Sequence, residues 1–192
     1  MQKKITFDYN CIISIENNEY TSNNLKKLLF LHDNGIVNIF VPAISGNEKL
    51  PGGKYSNSLT QFVNRINLLS KKPIDIIHSL TYFDMCFYDH CRFPSEEMIN
   101  LDHNIHKILY PNEPICLQEY IQKMNLPKDE FSKVWMNHRC DVISLWCHIF
   151  HKNDIFVTND KNFFKKTKIK KLYELGANKI LKPNEVLALL GY

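Results

Sequence analysis

Apolar residues along the chain recur with two periods, and these mark out its elements. Lys4 to Asp8 has the composition of a strand that runs straight into an acid, and Cys11-Ile12-Ile13 is apolar enough to stay inside before the polar stretch Glu16 to Tyr20. Leu25, Leu28, Leu29 and His32 then keep a helical spacing, with Thr21 or Ser22 as the cap and Asn34-Gly35 as the stop. Ile36 to Pro42 alternates, with Val37, Ile39 and Val41 on one face. A strand, helix, strand order of this kind favours parallel pairing.

Pro51-Gly52-Gly53 interrupts the pattern, and Leu59, Phe62, Val63, Ile66 and Leu69 resume it as a helix. Residues 74–77 fit a short strand. Between 82 and 110 the only clear signal is Ser95-Glu96-Glu97, a helix start with acids placed well for the dipole. Helices are predicted over about 114–124 and 127–151, each with a proline near its first turn. Asp154 to Thr158 is a buried strand, 168–175 a helix stopped by Gly176, 178–181 a last strand, and Pro183 opens a final helix. This order predicts an α/β fold. It is a three-layer α/β/α sandwich with a central, mainly parallel sheet, in one domain over 1–192, with a helical insertion at about 70–135.

The totals fit that picture. The chain has 192 residues, 44% of them hydrophobic, enough for a substantial core. Its net charge of +4 would tolerate a polyanionic partner without requiring one. No apolar run reaches the roughly 18 residues of a membrane span, so a cytoplasmic protein is expected. The six cysteines lack paired short spacings and read as reduced, mostly buried thiols. Trp135 and Trp146 fall on helical spacing and read as core.

Candidate chemistry lies in acids delivered from distant parts of the chain. Asp8 and Asp160 each follow a strand, and Asp141 borders the apolar stripe of the 127–151 helix, where a carboxylate is partly desolvated. Each has a plainer alternative. Asp8 could bond its own turn, Asp160 could cap the Lys161-Asn162-Phe163 segment, and Asp141 could sit in the first turn of a helix starting at Asn137 or His138.

Together the segments resemble a PIN domain. The resemblance rests on Asp8-Tyr9-Asn10 after a strand, an acid after the second strand, Cys140-Asp141-Val142-Ile143-Ser144-Leu145, and Val157-Thr158-Asn159-Asp160-Lys161-Asn162-Phe163. The closing run from Leu172 to Glu185 is also similar to that family's last helix, strand and proline-started helix. The resemblance covers about 3–50 and 136–190. It implies a metal-dependent endoribonuclease in which Asp8, Glu48, Asp141 and Asp160 are catalytic and hold one or two Mg²⁺ or Mn²⁺ ions, with Asn10, Thr158 and Asn162 in support. Position 162 is Asn where many members carry another acid, which puts a second ion in doubt. Glu48 also fits a capping box with Ser45. The family includes toxins of toxin-antitoxin pairs, so an inhibitory protein partner or self-association stays open beside RNA.

Lys161, Lys165 and Lys166 begin a cationic run next to Asp160 and are the expected nucleic-acid contacts, against the alternative of a solvated helix face. His138 lies one turn before Asp141 and could face the same pocket; the other histidines read as packing or surface. Cys86, Cys91, His103 and His106 approach a zinc spacing, with buried thiols as the simpler account. Two other functions stay open: a PIN-like protein that binds RNA or a partner without cleaving, and a phosphatase with Asp8 as nucleophile. The second is weakened because its usual second aspartate is Asn10.

Overall fold

The computed structural model describes residues 2–47, 58–82, 85–87, 90–125 and 128–192, the side chains of 47 and 128–132 excepted. The chain runs β1 (Lys3–Phe7), α1 (Tyr9–Glu16), α2 (Ser22–Asp33), β2 (Val37–Pro42), a 3-10 turn (Ala43–Asn47), α3 (Leu59–Asn67), β3 (Asp75–Ile77), β4 (Ser79–Leu80) and β5 (Cys91–Arg92). It continues with α4 (Glu96–Leu109), α5 (Leu117–Met124), α6 (Lys128–Phe150), β6 (Ile155–Val157), α7 (Lys166–Glu174), β7 (Lys179–Leu181) and α8 (Pro183–Leu190).

Five strands form one sheet in the order β3-β2-β1-β6-β7, and every neighbouring pair is parallel. Strand alternation builds a core on each face. Ile5, Phe7, Val37, Ile39, Val41, Ile155 and Val157 point to one side, where they pack with Ile12, Leu25, Leu28, Phe62, Ile66 and Val186 from α1, α2, α3 and α8. Phe40, Phe156 and Ile180 point to the other and meet Ile105, Leu109, Ile143, Trp146 and Leu172 from α4, α6 and α7. Helices therefore cover both faces of a parallel sheet, whose strands are accordingly apolar on both sides. Each large side chain fully buried in these cores contributes about 1.5–3 kcal/mol.

The one polar residue inside β1, Thr6, is buried on the second face and is fully partnered there. Its hydroxyl meets His148 Nδ1 at 3.1 Å and accepts from Asn153 Nδ2 at 2.8 Å, while His148 Nε2 donates to Ala177 O at 2.9 Å. Burial holds the His148 imidazole down at about 4, so it is a neutral packing residue.

Three expectations change. The stretch after β1 is a helix, α1, because Asp8 is extended at φ −69°, ψ 152° and its carboxylate accepts from Tyr9 N, starting the first turn. Asp141 lies deep within the 23-residue α6, which excludes the first-turn cap. Trp135 and Trp146 are buried, and of the six cysteines Cys11, Cys140 and Cys147 are buried while Cys86 and Cys91 are half-buried and Cys116 is exposed, fewer than the mostly buried set expected. Pro51-Gly52-Gly53 falls outside the described residues. No helix among the described residues is long and apolar enough to cross a membrane.

Candidate acidic site

The sheet order reverses at β1. From there the chain steps outward to β2 and β3 on one side, and later to β6 and β7 on the other. In open α/β sheets the crevice at such a switch point, beyond the carboxyl ends of the strands, is where ligands bind. Asp8 follows β1 directly and Thr158 follows β6 directly, and the two strands are locked together by the bond from Asp8 N to Val157 O at 3.0 Å.

Asp8 is 2% exposed and is held on both oxygens. Oδ1 accepts from Tyr9 N at 2.9 Å, and Oδ2 accepts from Thr158 Oγ1 at 2.6 Å and from Asn10 Nδ2. Asn10 sends its second amide hydrogen to Thr158 Oγ1 at 2.9 Å and uses its carbonyl to accept Asn159 N at 3.1 Å. Asp160 N in turn donates to Thr158 Oγ1 at 3.0 Å. Asn10 and Thr158 thus tie the first acid to the backbone carrying the third. Despite these donors, burial first and the charge of Asp160 second raise the Asp8 carboxyl to about 6.

Asp141 is delivered from α6. Burial, then the charge of Asp8 and that of Asp160, push its carboxyl well above the usual range, against a hydrogen bond from the Tyr110 hydroxyl to Oδ2. Burial and the neighbouring Asp141 charge raise the Tyr110 phenol, so it stays neutral and donates. Asp141 and Asp160 line an open cavity of about 560 Å³ together with Tyr110, His138, Asn162, Lys161, Lys165 and Lys168. His138 faces the pocket, as its spacing suggested. Its ring stacks on Tyr110 at 4.0 Å and its Nδ1 pairs with Glu113 Oε2 at 2.7 Å.

The expected residues are not all used as the sequence implied. Asp160 Oδ1 does accept from Asn162 N at 2.8 Å, so the capping alternative coexists with a place in the cavity. Asn162 is spent on a neighbour: its Oδ1 accepts from Lys168 Nζ, which also donates to Leu109 O. Lys161 and Lys165 line the cavity, but Lys166 does not, because α7 begins there and Lys168 is the next lysine brought to the wall. Glu48 lies outside the described residues. Tyr110 escapes sequence reasoning, and Lys168 belongs to the cationic run without being singled out from it. Tyr110 sits beyond a helix end with no motif around it, and Lys168 is one of several similar lysines.

The zinc spacing dissolves in three dimensions, since His106 commits Nε2 to Glu113 O at 2.9 Å and Nδ1 to Arg139 Nη1 at 3.2 Å. Among the described residues no three His, Cys, Asp or Glu side chains are grouped to hold an ion by themselves. The donor chemistry still suits a hydrated divalent cation. All the donors are hard oxygens, the charge of Asp160 raises both Asp8 and Asp141, and Mg²⁺ is commonly held by one or two carboxylates with waters completing its shell. No family model matches the chain, and neither the curated proteins nor the solved structures contain a match to it.

Proposed function

We propose that this protein is a Mg²⁺- or Mn²⁺-dependent nuclease acting on RNA, the activity its resemblance to PIN domains implies. The observation that carries the reading is a shared location: Asp141 and Asp160, from distant segments, line one cavity, and Thr158 Oγ1 ties the Asp8 carboxylate to the backbone of Asp160 at the sheet's switch point. A desolvated carboxylate facing like charges is costly unless a cation compensates it, and perturbed acids of this kind cluster at functional sites.

In this reading Asp141 and Asp160, with Asp8 behind them, would hold the ion. When bound, it supplies a more acidic water for attack on a phosphodiester and offsets charge on the phosphate oxygens. The Tyr110 hydroxyl orients Asp141, and Thr158 and Asn10 fix Asp8. Lys161 and Lys165 in the same cavity lining attract the phosphate backbone without reading sequence. One feature favours binding without cleavage instead: Asn162, engaged by Lys168, contributes no charge where an acid would strengthen the site.

The test is cleavage of single-stranded RNA by the purified protein with Mn²⁺ against the same reaction in EDTA. Cleavage should require Mn²⁺ and fall about 100-fold or more in Asp160→Asn, with the circular dichroism spectrum unchanged. Full activity in EDTA, or in both Asp8→Asn and Asp160→Asn, removes the nuclease. Mn²⁺ uptake by calorimetry without any cleavage would favour the binding protein.

A further inference from the structure

We propose that a second polar cavity, beside the acidic one, is a subsite for a flanking nucleotide of the same single-stranded RNA; this rests on the nuclease reading above. The cavity measures about 510 Å³, within the roughly 300–1,000 Å³ typical of small-ligand sites. It lies between the starts of α2 and α8.

Continuity with the acidic site comes from two residues. Lys161 lines both cavities. Asn159, which lies between Thr158 and Asp160 in the chain, contributes to the wall of the second cavity. Its backbone N donates to Asn10 Oδ1, and its side chain reaches Thr21 Oγ1 at 2.9 Å. Thr21 makes no side-chain cap bond to α2, and this contact with Asn159 engages its hydroxyl instead. The second cavity is therefore built onto the same turn that carries Asp160.

The wall chemistry matches the parts of a nucleotide. Lys161 and Lys182 supply two cations for a phosphate against the one carboxylate of the wall, Glu19, which accepts from Ser14 Oγ at 2.7 Å, and the amides of Asn24 and Asn184 can both donate to and accept from a base edge. Tyr20 stands at the cavity with 98% of its surface exposed, so its ring is almost unused in packing. An unpacked aromatic beside cations is what stacks an unpaired base, a contact tolerant of sequence. A duplex would keep its bases inside the stack, so the arrangement favours single strands.

The experiment uses the full chain carrying Asp141→Asn to prevent turnover, and measures binding of fluorescein-labelled oligouridylates of two and of eight nucleotides in Mn²⁺. The longer oligomer should bind more tightly. Tyr20→Ala should weaken it roughly 5- to 100-fold, the range of one stacked base, and Lys182→Ala should weaken it and lower its salt slope by about 1, both leaving the dinucleotide unchanged. Because Tyr20 is outside the core, its loss should not unfold the chain. If both variants bind the eight-mer as well as the parent while Lys165→Ala weakens it, the subsite is wrong and the acidic cavity stands. If neither oligomer binds in a Lys165-dependent way, the nuclease reading fails and takes the subsite with it.

Discussion

Helix α6 carries two charged residues only two positions apart, the buried Arg139 and the half-buried Asp141, and their surroundings differ in kind. Arg139 is fully buried in the layer formed with α4. There its Nη2 reaches both oxygens of Asp102 at 2.7 and 2.8 Å, and its guanidinium lies 4.7 Å from the Tyr82 ring. That charge is answered. Asp141 has one phenol donor and two acids for company. Burial alone therefore does not mark a functional group; a desolvated charge on a cavity wall without an opposite charge does.

The contrast can be broken from either end. The largest effect is expected on the answered side. Asp102→Ala strands a buried guanidinium and should cost about 3–5 kcal/mol by urea denaturation, whereas Asp102→Leu combined with Arg139→Met should cost far less. Equal losses in the single and double variants would mean that the pair carries no special burden.

On the unanswered side the sign reverses. Asp141→Asn keeps an oxygen for Tyr110 and removes the repulsion, so without metal at pH 7.5 it should be more stable than the parent. The pH dependence follows from the direction of the shift. An acid raised in the fold penalises stability once pH passes its unfolded value, and the penalty is complete above its folded value. The stability gained by the variant should therefore shrink as pH falls towards 4.5, and Mn²⁺ should stabilise the parent more than the variant. The comparison must be made between variants, because His148, held down at about 4, changes the stability of both proteins in the opposite sense across the same range. An Asp141→Asn protein no more stable than the parent at pH 7.5 would show that the acids do not oppose one another.

The smallest effect separates neighbouring lysines. Lys165→Ala should weaken RNA binding and lower the slope of log affinity against log salt by about 1. Lys166→Ala, off the cavity, should change neither. Matching slopes in the two variants would mean that the whole run acts as a diffuse charge.

What the chain betrayed of this arrangement follows contact range. The alternation of Val37, Ile39 and Val41 and the short apolar runs before Asp8 and Thr158 located strands of the sheet, and the acids after β1 and β6 pointed to the candidate site, because strand ends and their caps are written locally. Helix α1 was obscured because a cluster of β-branched isoleucines behind Asp8, with no acid in the first turn, carries little helical signal. The partners of Asp141 were obscured for another reason. Tyr110 is 31 positions away, and Leu109, which anchors Lys168, is 59 positions from it. No periodicity reports on contacts of that separation. Asn162 reads as a weakened acid in sequence and proves to be a brace for Lys168.

The end of α4 bears a consequence for any shortened form of this protein. The Leu109 carbonyl anchors one cation, and the Tyr110 hydroxyl steadies one carboxylate. A trimmed chain that spliced β3 directly to α6 would preserve every strand of the large sheet and all three aspartates. It would nonetheless lose the far bank of the cleft, and with it the means of aiming Asp141 and of stationing Lys168 opposite. The middle of the chain is thus half of the vessel and cannot be treated as dispensable ornament.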